Sequence, residues 1–559
     1  MRRRVVITPG SAPRLPSNGR TVRARLANGL LALGVTLAFS AVGVQLVLLG
    51  ARAGAVRATL AVTEAAPTNF ARPDIIDRNG RLLATDIEVP SLFADPALVL
   101  DRDELVEKLS TVLPDIDSRQ LRKELADRSR RFVWIRRGLS PKIAQKIHNL
   151  GLPSLAFRKE LRRAYPGGEL AGHVLGGVNI DNRGVAGIEK WIDENVGVEG
   201  VHTAEFSDHA PVRLSLDIGV QHTLEDELGA AMRRYTARAA AGLVMDIRTG
   251  EIIASASIPR IDPLFPQTAS DPSRIDRVLT GTYELGSVFK TLTLAMALDE
   301  GLATSATVLD VRKPLTAGGF TISDFHSAGR PLTVEEVFTH SSNVGAAMLA
   351  VEAGTERFMS FLKRAGVVDP MRTEAGPVAA PLIPKRIDQI ELMTMGYGHG
   401  IAVAPLQFAA ATATILNGGR KVAPRFVRYT GEAAKPETVT SELTSREIAR
   451  LFRLNVLDSS GTGGRAEVAG YRVGGKTGTA ELADNGRYQE KSVISSFIGA
   501  FPMDQPQYLT FVVLFEPKAN VETGGHRTAS SNAAPTTARI IARIAPQLGV
   551  APLEMSATQ

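Results

Sequence analysis

Ser287 and Lys290 stand three residues apart in ELGSVFK, where an apolar run opens that stops near Gly301. On a helix that spacing puts both side chains on one face, so the amine can reach the hydroxyl. A serine hydroxyl is nearly inert at neutral pH unless a neighbouring base takes its proton. A lysine can be that base only where burial or a second cation lowers its pKa. A helix N-terminus would also favour the negative charge that develops. The pair is therefore a candidate nucleophile and base. The spacing alone does not select it, because Ser360 and Lys363 repeat S-x-x-K in RFMSFLKRAG, which reads as an ordinary solvated helix face.

Two further segments carry groups of the same kind. In THSSNVG, Ser341 could relay a proton while the Asn343 amide holds a substrate carbonyl or N–H. S-x-N also occurs at Ser530 to Asn532, and by itself it reads most simply as a helix cap. In GGKTGTAEL, a lysine with threonine hydroxyls suits a carboxylate. On a strand, Lys476, Gly478 and Ala480 face one way and Thr477 and Thr479 the other, with Gly478 expected to let a ligand lie against the backbone. Gly470 to Thr477 also satisfies the phosphate-binding pattern G-x-x-x-x-G-K-[ST], but that motif needs a long helix after it. Here TGTAELADNG follows, broken by Gly478 and an Asn485-Gly486 turn. There is no H-E-x-x-H, G-x-S-x-G or paired histidine spacing, so no metal or cofactor is expected. His340 and His399 read as local structural residues.

The elements that must position these groups begin with the chain's topology. Its 559 residues suggest about three or four domains. The formal charge of +7 invites a nucleic-acid reading, yet residues 1–25 hold seven arginines and no acid, and the rest balances at 58 against 58. Leu26 to Ala51 has no charged residue, and about 20 apolar residues suffice to cross a bilayer. The run is too long for a signal peptide, and the Arg-only flank is the positive-inside arrangement. The expectation is a cytoplasmic tail (1–25), one transmembrane helix (26–51) and everything beyond outside the cytoplasm. Neither nucleotide nor nucleic acid is then a partner. The absence of cysteine excludes disulfides and thiolate chemistry.

Beyond the span, RPDIIDRNGRLLATD carries a hairpin signal at Asn79-Gly80. Charged helical stretches run from Arg102 to Arg131, and a Gly-punctuated segment from Tyr165 to Gly200 suggests tight packing. A second unit is expected from about Val212, with a strand, an amphipathic helix through Val220, Leu224 and Leu228, and a hairpin turning at Arg248-Thr249-Gly250. Strands recur from Ser492 and Tyr508, and a helix from Ala534. Between them lies a mostly helical insert, Thr291 to Asn417. Strands at both ends with helices between predict an α+β fold with one antiparallel sheet flanked by helices.

Order decides what the single motifs cannot. S-x-x-K at 287, S-x-N at 341 and K-T-G at 476 within one domain-sized span resembles the penicillin-binding transpeptidase superfamily. The decoy copies fall outside that order. DIIDRNGRLLA from Asp74, YPGGELAGHVLGGV from Tyr165 and GVAGIEKWIDENVGVEG from Gly184 look like the elongated non-catalytic pedestal of class B penicillin-binding proteins. Within class B, ELGSVFKTLTLAMALDEG, GYGHGIAVAPLQFAAATATILNGG and AGYRVGGKTGTAEL look most like the cell-division, septal members, with the elongation-specific enzymes as the alternative.

The resemblance implies a pedestal or dimerisation-type domain over 52–210, a transpeptidase domain over 211–545 with K-T-G edging a five-stranded antiparallel sheet, and a tail over 546–559. It makes Ser287 the acylated nucleophile and Lys290 its base. Ser341 would shuttle the proton to the leaving D-alanine and Asn343 hold the donor amide. Lys476, Thr477, Gly478 and Thr479 would bind the stem peptide's terminal carboxylate, with backbone N–H groups of Ser287 and Thr479 as the oxyanion hole. The implied partners are D-Ala-D-Ala donor and amine acceptor stem peptides, β-lactams, a SEDS-type glycosyltransferase and other divisome membrane proteins. The implied place is the bacterial inner membrane at the septum, with the catalytic domain periplasmic. Rival readings are a D,D-carboxypeptidase, a β-lactam sensor, or a binding protein with decayed motifs. The middle motif is S-S-N rather than S-D-N, and no E-x-x-L-N segment supplies a deacylating glutamate, so β-lactamase activity is disfavoured.

Overall fold

The computed structural model describes residue 30 and residues 33–48, 69–196, 199–201, 209–429, 436–484 and 487–553. The chain divides into two compact units, residues 1–66 with 94–133, and residues 67–93 with 134–559. In the first, residues 33–48 are helical, with Leu37, Phe39, Val42, Leu46 and Val47 exposed. Among the described residues no helix is long and apolar enough to cross a membrane, and of the expected span only residues 30 and 33–48 are described. The rest of it, the Arg-rich tail, the linker to residue 68, the Asn485-Gly486 turn and the last six residues lie outside the described residues. Helices Arg102–Val112 and Ser118–Glu124 each begin at an aspartate, Asp101 or Asp117, whose carboxylate accepts from first-turn N–H groups.

The larger unit contains two sheets. Strands β1 (Ile75–Ile76) and β2 (Leu82–Ala94) form the hairpin expected around Asn79-Gly80. The long β2 also pairs with β3 (Val133–Arg136) and β4 (Leu155–Ala164), and β5 (Val212–Arg213) lies parallel to β1. Sequence reading opens the second domain with this last strand. The structure ties it to the first sheet instead, because Val212 N–H donates to Asp74 O and Leu214 N–H to Ile76 O, both at 2.8 Å.

The Gly-punctuated segment folds back on itself ahead of α1 (Gly187–Asn195). A Cβ on Gly176 would stand 1.9 Å from Ala186 O, so only glycine permits that crossing. Beneath it Glu189 is fully buried and accepts from Arg72 Nε (2.9 Å), Arg163 Nε (2.7 Å) and Tyr165 OH (3.1 Å). Arg163 reaches Asp86 at 3.1 Å, and Arg72 also pairs with Asp193. Burial pushes the Asp86 carboxyl and the Tyr165 phenol up.

The second sheet is built from β6 (Ala239–Asp246), β7 (Ile252–Ile258), β8 (Gly474–Asp484), β9 (Arg487–Phe501) and β10 (Tyr508–Phe515). Its order is β7-β6-β10-β9-β8, antiparallel throughout, as expected. Every residue of β6 is buried, because both faces are covered. Ala240 and Val244 pack with α2 (Ile218–Arg234) and the C-terminal helix Ala533–Gln547. Ala239, Ala241, Leu243 and Met245 face the other way, toward the insert helices α3 (Lys290–Asp299), α4 (Asn343–Arg364) and α5 (Pro405–Leu416). The alternation is that of a strand between two helical layers. The phosphate-loop match fails structurally, since Gly474 to Asp484 is strand with no helix after it.

Candidate active site

Gly286–Phe289 is a 3₁₀ turn that leads into α3, so Ser287 and Lys290 eclipse each other. Lys290 is fully buried, and its Nζ stands 3.0 Å from Ser287 Oγ, 2.6 Å from Ser341 O, 3.2 Å from Ser341 Oγ and 2.8 Å from Asn343 Oδ1. The Ser341 carbonyl and the Asn343 Oδ1 can only accept. A neutral amine gives them its two N–H groups and keeps its lone pair for a hydroxyl proton. Burial, then the charge of Lys476, holds the Lys290 pKa well below the ordinary lysine range. This is the arrangement a lysine base requires.

The S-x-N motif sits where a short helix ends and α4 begins. Thr333 and Glu336 form a capping box on the helix Val334–Thr339, and Ser342 caps α4 by accepting from Gly345 N–H at 3.0 Å. Between the two helices Ser341 takes φ 60°, the left-handed region, which costs a serine some strain. The turn aims its hydroxyl between two amines, Lys290 Nζ at 3.2 Å and Lys476 Nζ at 2.9 Å. Lys476 is fully buried beside the Phe338 ring, and burial pushes its pKa down to about 7. Two buried amines thus share one hydroxyl, and the positive charge on Lys476 is lost as the pH rises through about 7.

K-T-G lies on β8, the sheet's edge strand, bonded to β9 on one side only. Thr477 Oγ1 donates to Thr462 Oγ1 at 2.7 Å, and Thr479 Oγ1 accepts from Ala529 N–H at 3.2 Å. The structure corrects the reading of Gly478. A Cβ there would stand 2.4 Å from Leu285 O and 2.6 Å from Ser496 Oγ, so the glycine makes room for the Ser287 turn rather than for a ligand. Gly478→Ala is expected to push that turn off the strand. A misplacement near 1 Å costs about a hundred-fold in rate, so penicillin acylation followed by stopped flow should fall by about that factor.

The structure thus gathers the seven residues of the three motifs, and Thr479 after them, around one site. Neither decoy supplies a nucleophile–base pair: Ser360 and Lys363 are exposed on α4, and Asn532, which follows the turn that bonds to Thr479, accepts from Ser495 Oγ and caps the C-terminal helix. His399 is mostly buried, its ring beside Tyr397, and burial together with Lys290 pushes its pKa down to about 4. Sequence reasoning missed Thr462, Asn455 and Asp324. Asn455, wholly buried on the helix Glu442–Leu457, donates to Gly475 O at 2.7 Å and accepts from Thr462 N–H, tying the 458–464 loop to β8. Asp324 accepts from Ser342 Oγ at 2.7 Å. Neither stands at a motif spacing. Among the described residues no group of His, Asp and Glu could hold a metal.

Two family models match the chain: the penicillin-binding protein transpeptidase domain over residues 240–542 and the penicillin-binding protein dimerisation domain over residues 67–204. It is 40% identical over 489 residues to the probable peptidoglycan D,D-transpeptidase FtsI of Caulobacter vibrioides, covering 86% of this chain and 82% of that one. It is 29% identical to the peptidoglycan D,D-transpeptidase FtsI of Escherichia coli K12, covering 81% and 80%. Among solved structures, penicillin-binding protein 3 of Mycobacterium tuberculosis complexed with aztreonam matches with TM-score 0.66 and 25% identity, over 87% of this chain and 99% of that one. With both modules in order and the three motifs gathered on one sheet edge, this chain belongs to the class B penicillin-binding proteins.

Proposed function

We propose that this chain is a serine-type peptidoglycan D,D-transpeptidase that cross-links stem peptides at the division septum. The observation that carries the reading is the Lys290 amine, buried, bonded to two oxygens that can only accept and 3.0 Å from Ser287 Oγ. Ser287 Oγ attacks the carbonyl of the penultimate D-alanine while Lys290 takes its proton. The oxyanion is held by the Ser287 and Thr479 N–H groups. As the C–N bond breaks, Ser341 passes a proton to the departing D-alanine amine. Asn343 holds the donor amide, and Lys476, Thr477 and Thr479 bind the terminal carboxylate. An amine of a second stem peptide then attacks the acyl-enzyme, giving the cross-link and freeing Ser287. β-Lactams present the same carbonyl and carboxylate and stop at the acyl-enzyme.

The septal assignment is supported by the FtsI names of the Caulobacter and Escherichia relatives. An N-terminal membrane anchor is supported by the apolar exposed helix at 33–48 behind an arginine-rich tail. With the tail cytoplasmic, the catalytic domain lies in the periplasm, beside a SEDS-type glycosyltransferase. The test supplies the full chain with a D-Ala-D-Ala donor and an amine acceptor. Equal amounts of free D-alanine and cross-linked dimer are expected. D-Alanine release with hydrolysed donor alone would make the enzyme a carboxypeptidase. A fluorescent fusion should gather at midcell, and lateral-wall fluorescence would assign it to elongation.

A further inference from the structure

The S-x-N turn is clamped from outside the motif. Asp324 sits 18 residues upstream of Ser342, in the irregular segment after the short strand Phe320–Ile322. Its Oδ2 accepts from Ser342 Oγ at 2.7 Å, and its Oδ1 accepts from Asn343 N–H at 2.5 Å and Val344 N–H at 3.0 Å. The same segment reaches the motif a second time, since Asn343 Nδ2 donates to Ser323 O at 3.3 Å, which fixes the side-chain amide with Oδ1 toward Lys290. The three carboxylate bonds hold the three residues that follow the left-handed Ser341, and so hold Ser341 itself. Where class A β-lactamases carry S-D-N, this chain has Ser342 in the middle position and receives a carboxylate from elsewhere.

We infer that Asp324 is a positioning residue for acylation, whose carboxylate fixes Ser341 and Asn343 around Lys290 and supplies a negative charge beside that amine. The inference rests on the function proposed above. The charged and titratable groups around Lys290 are few. Lys476 on β8 lowers its proton affinity after burial itself, Asp324 raises it, and His399 is uncharged at neutral pH. Removing the Asp324 charge therefore makes Lys290 a weaker base that loses its proton more readily. The acid limb of the acylation profile should move to lower pH while the plateau falls.

The test measures acylation of the full chain by a fluorescent penicillin from pH 5 to 9, with melting temperature recorded for each variant. Asp324→Asn conserves shape and keeps one oxygen for the backbone N–H groups. It is expected to lower the plateau by about ten- to hundred-fold and to shift the acid limb downward. Asp324→Glu should restore part of the plateau with the limb near its wild-type place. Ser342→Ala, which breaks a single bond to the carboxylate, should lower the plateau without moving the limb. A wild-type plateau and limb in Asp324→Asn would overturn the inference. So would a lowered plateau with an unmoved limb and a fallen melting temperature, which marks a structural role only. If the wild-type chain does not label, or Ser287→Ala still labels, the proposed function fails instead.

Discussion

Ser287→Ala is expected to remove all covalent labelling by a fluorescent penicillin, a loss of about a million-fold in acylation rate. The size follows from the chemistry, because no other hydroxyl can form the acyl bond. Ser341 Oγ is the nearest alternative, but it is already engaged by both Lys290 Nζ and Lys476 Nζ. Ser360→Ala is the matched control and should label as wild type, since Ser360 is exposed and its hydroxyl only accepts from Arg364 at 3.4 Å. The substitution should barely disturb folding. Lys290 loses one of four polar neighbours, worth about 1 kcal/mol, and circular dichroism melting should show that modest change. Labelling that survives Ser287→Ala would end the assignment.

Glu189→Ala is expected to be the most destabilising single change in the dimerisation-type domain. Its carboxylate is shared by Arg72 and Arg163, all three fully buried, and it also accepts the Tyr165 hydroxyl. Breaking a buried pair by removing one partner costs about 3–5 kcal/mol, because the remaining charge is stranded. Here two guanidiniums are left with the carboxylates of Asp86 and Asp193 and with backbone carbonyls. Calorimetry should show the domain's transition lowered by about 10 °C. Penicillin acylation below that transition should persist, since none of these residues touches Ser287. A cost under about 1 kcal/mol would mean that the two aspartates suffice.

The three motifs were legible because each is short and its spacing is a statement about local geometry. Three residues on a tight turn place Lys290 on Ser287, and alternation on a strand puts Lys476 and Thr477 on opposite faces. An antiparallel sheet was legible from strand candidates at both ends of the domain, and its five strands only from the family resemblance. What sequence could not carry was contact between segments distant in the chain. Asp324 looks like any loop aspartate until its segment is seen against α4, and Thr462 like any turn residue until Asn455 is seen beneath it. Gly478 was misread for the same reason, since its neighbour Leu285 lies nearly two hundred residues away. The strand at Val212 was read only as the start of the second unit, because two residues carry no signal of which partner they bond.

The strand order of the catalytic sheet also sets how the chain must be made. β6 pairs with β10, with Ala239 opposite Phe515, so the hairpin of β6 and β7 exists for roughly 260 residues of synthesis with one long edge open. During that interval its buried residues wait for helices not yet in place, and the free edge can join a neighbouring chain. Assembly is therefore the vulnerable stage of this protein's life. A chain ended before Tyr508 would lack not an outer strand but the middle of its sheet.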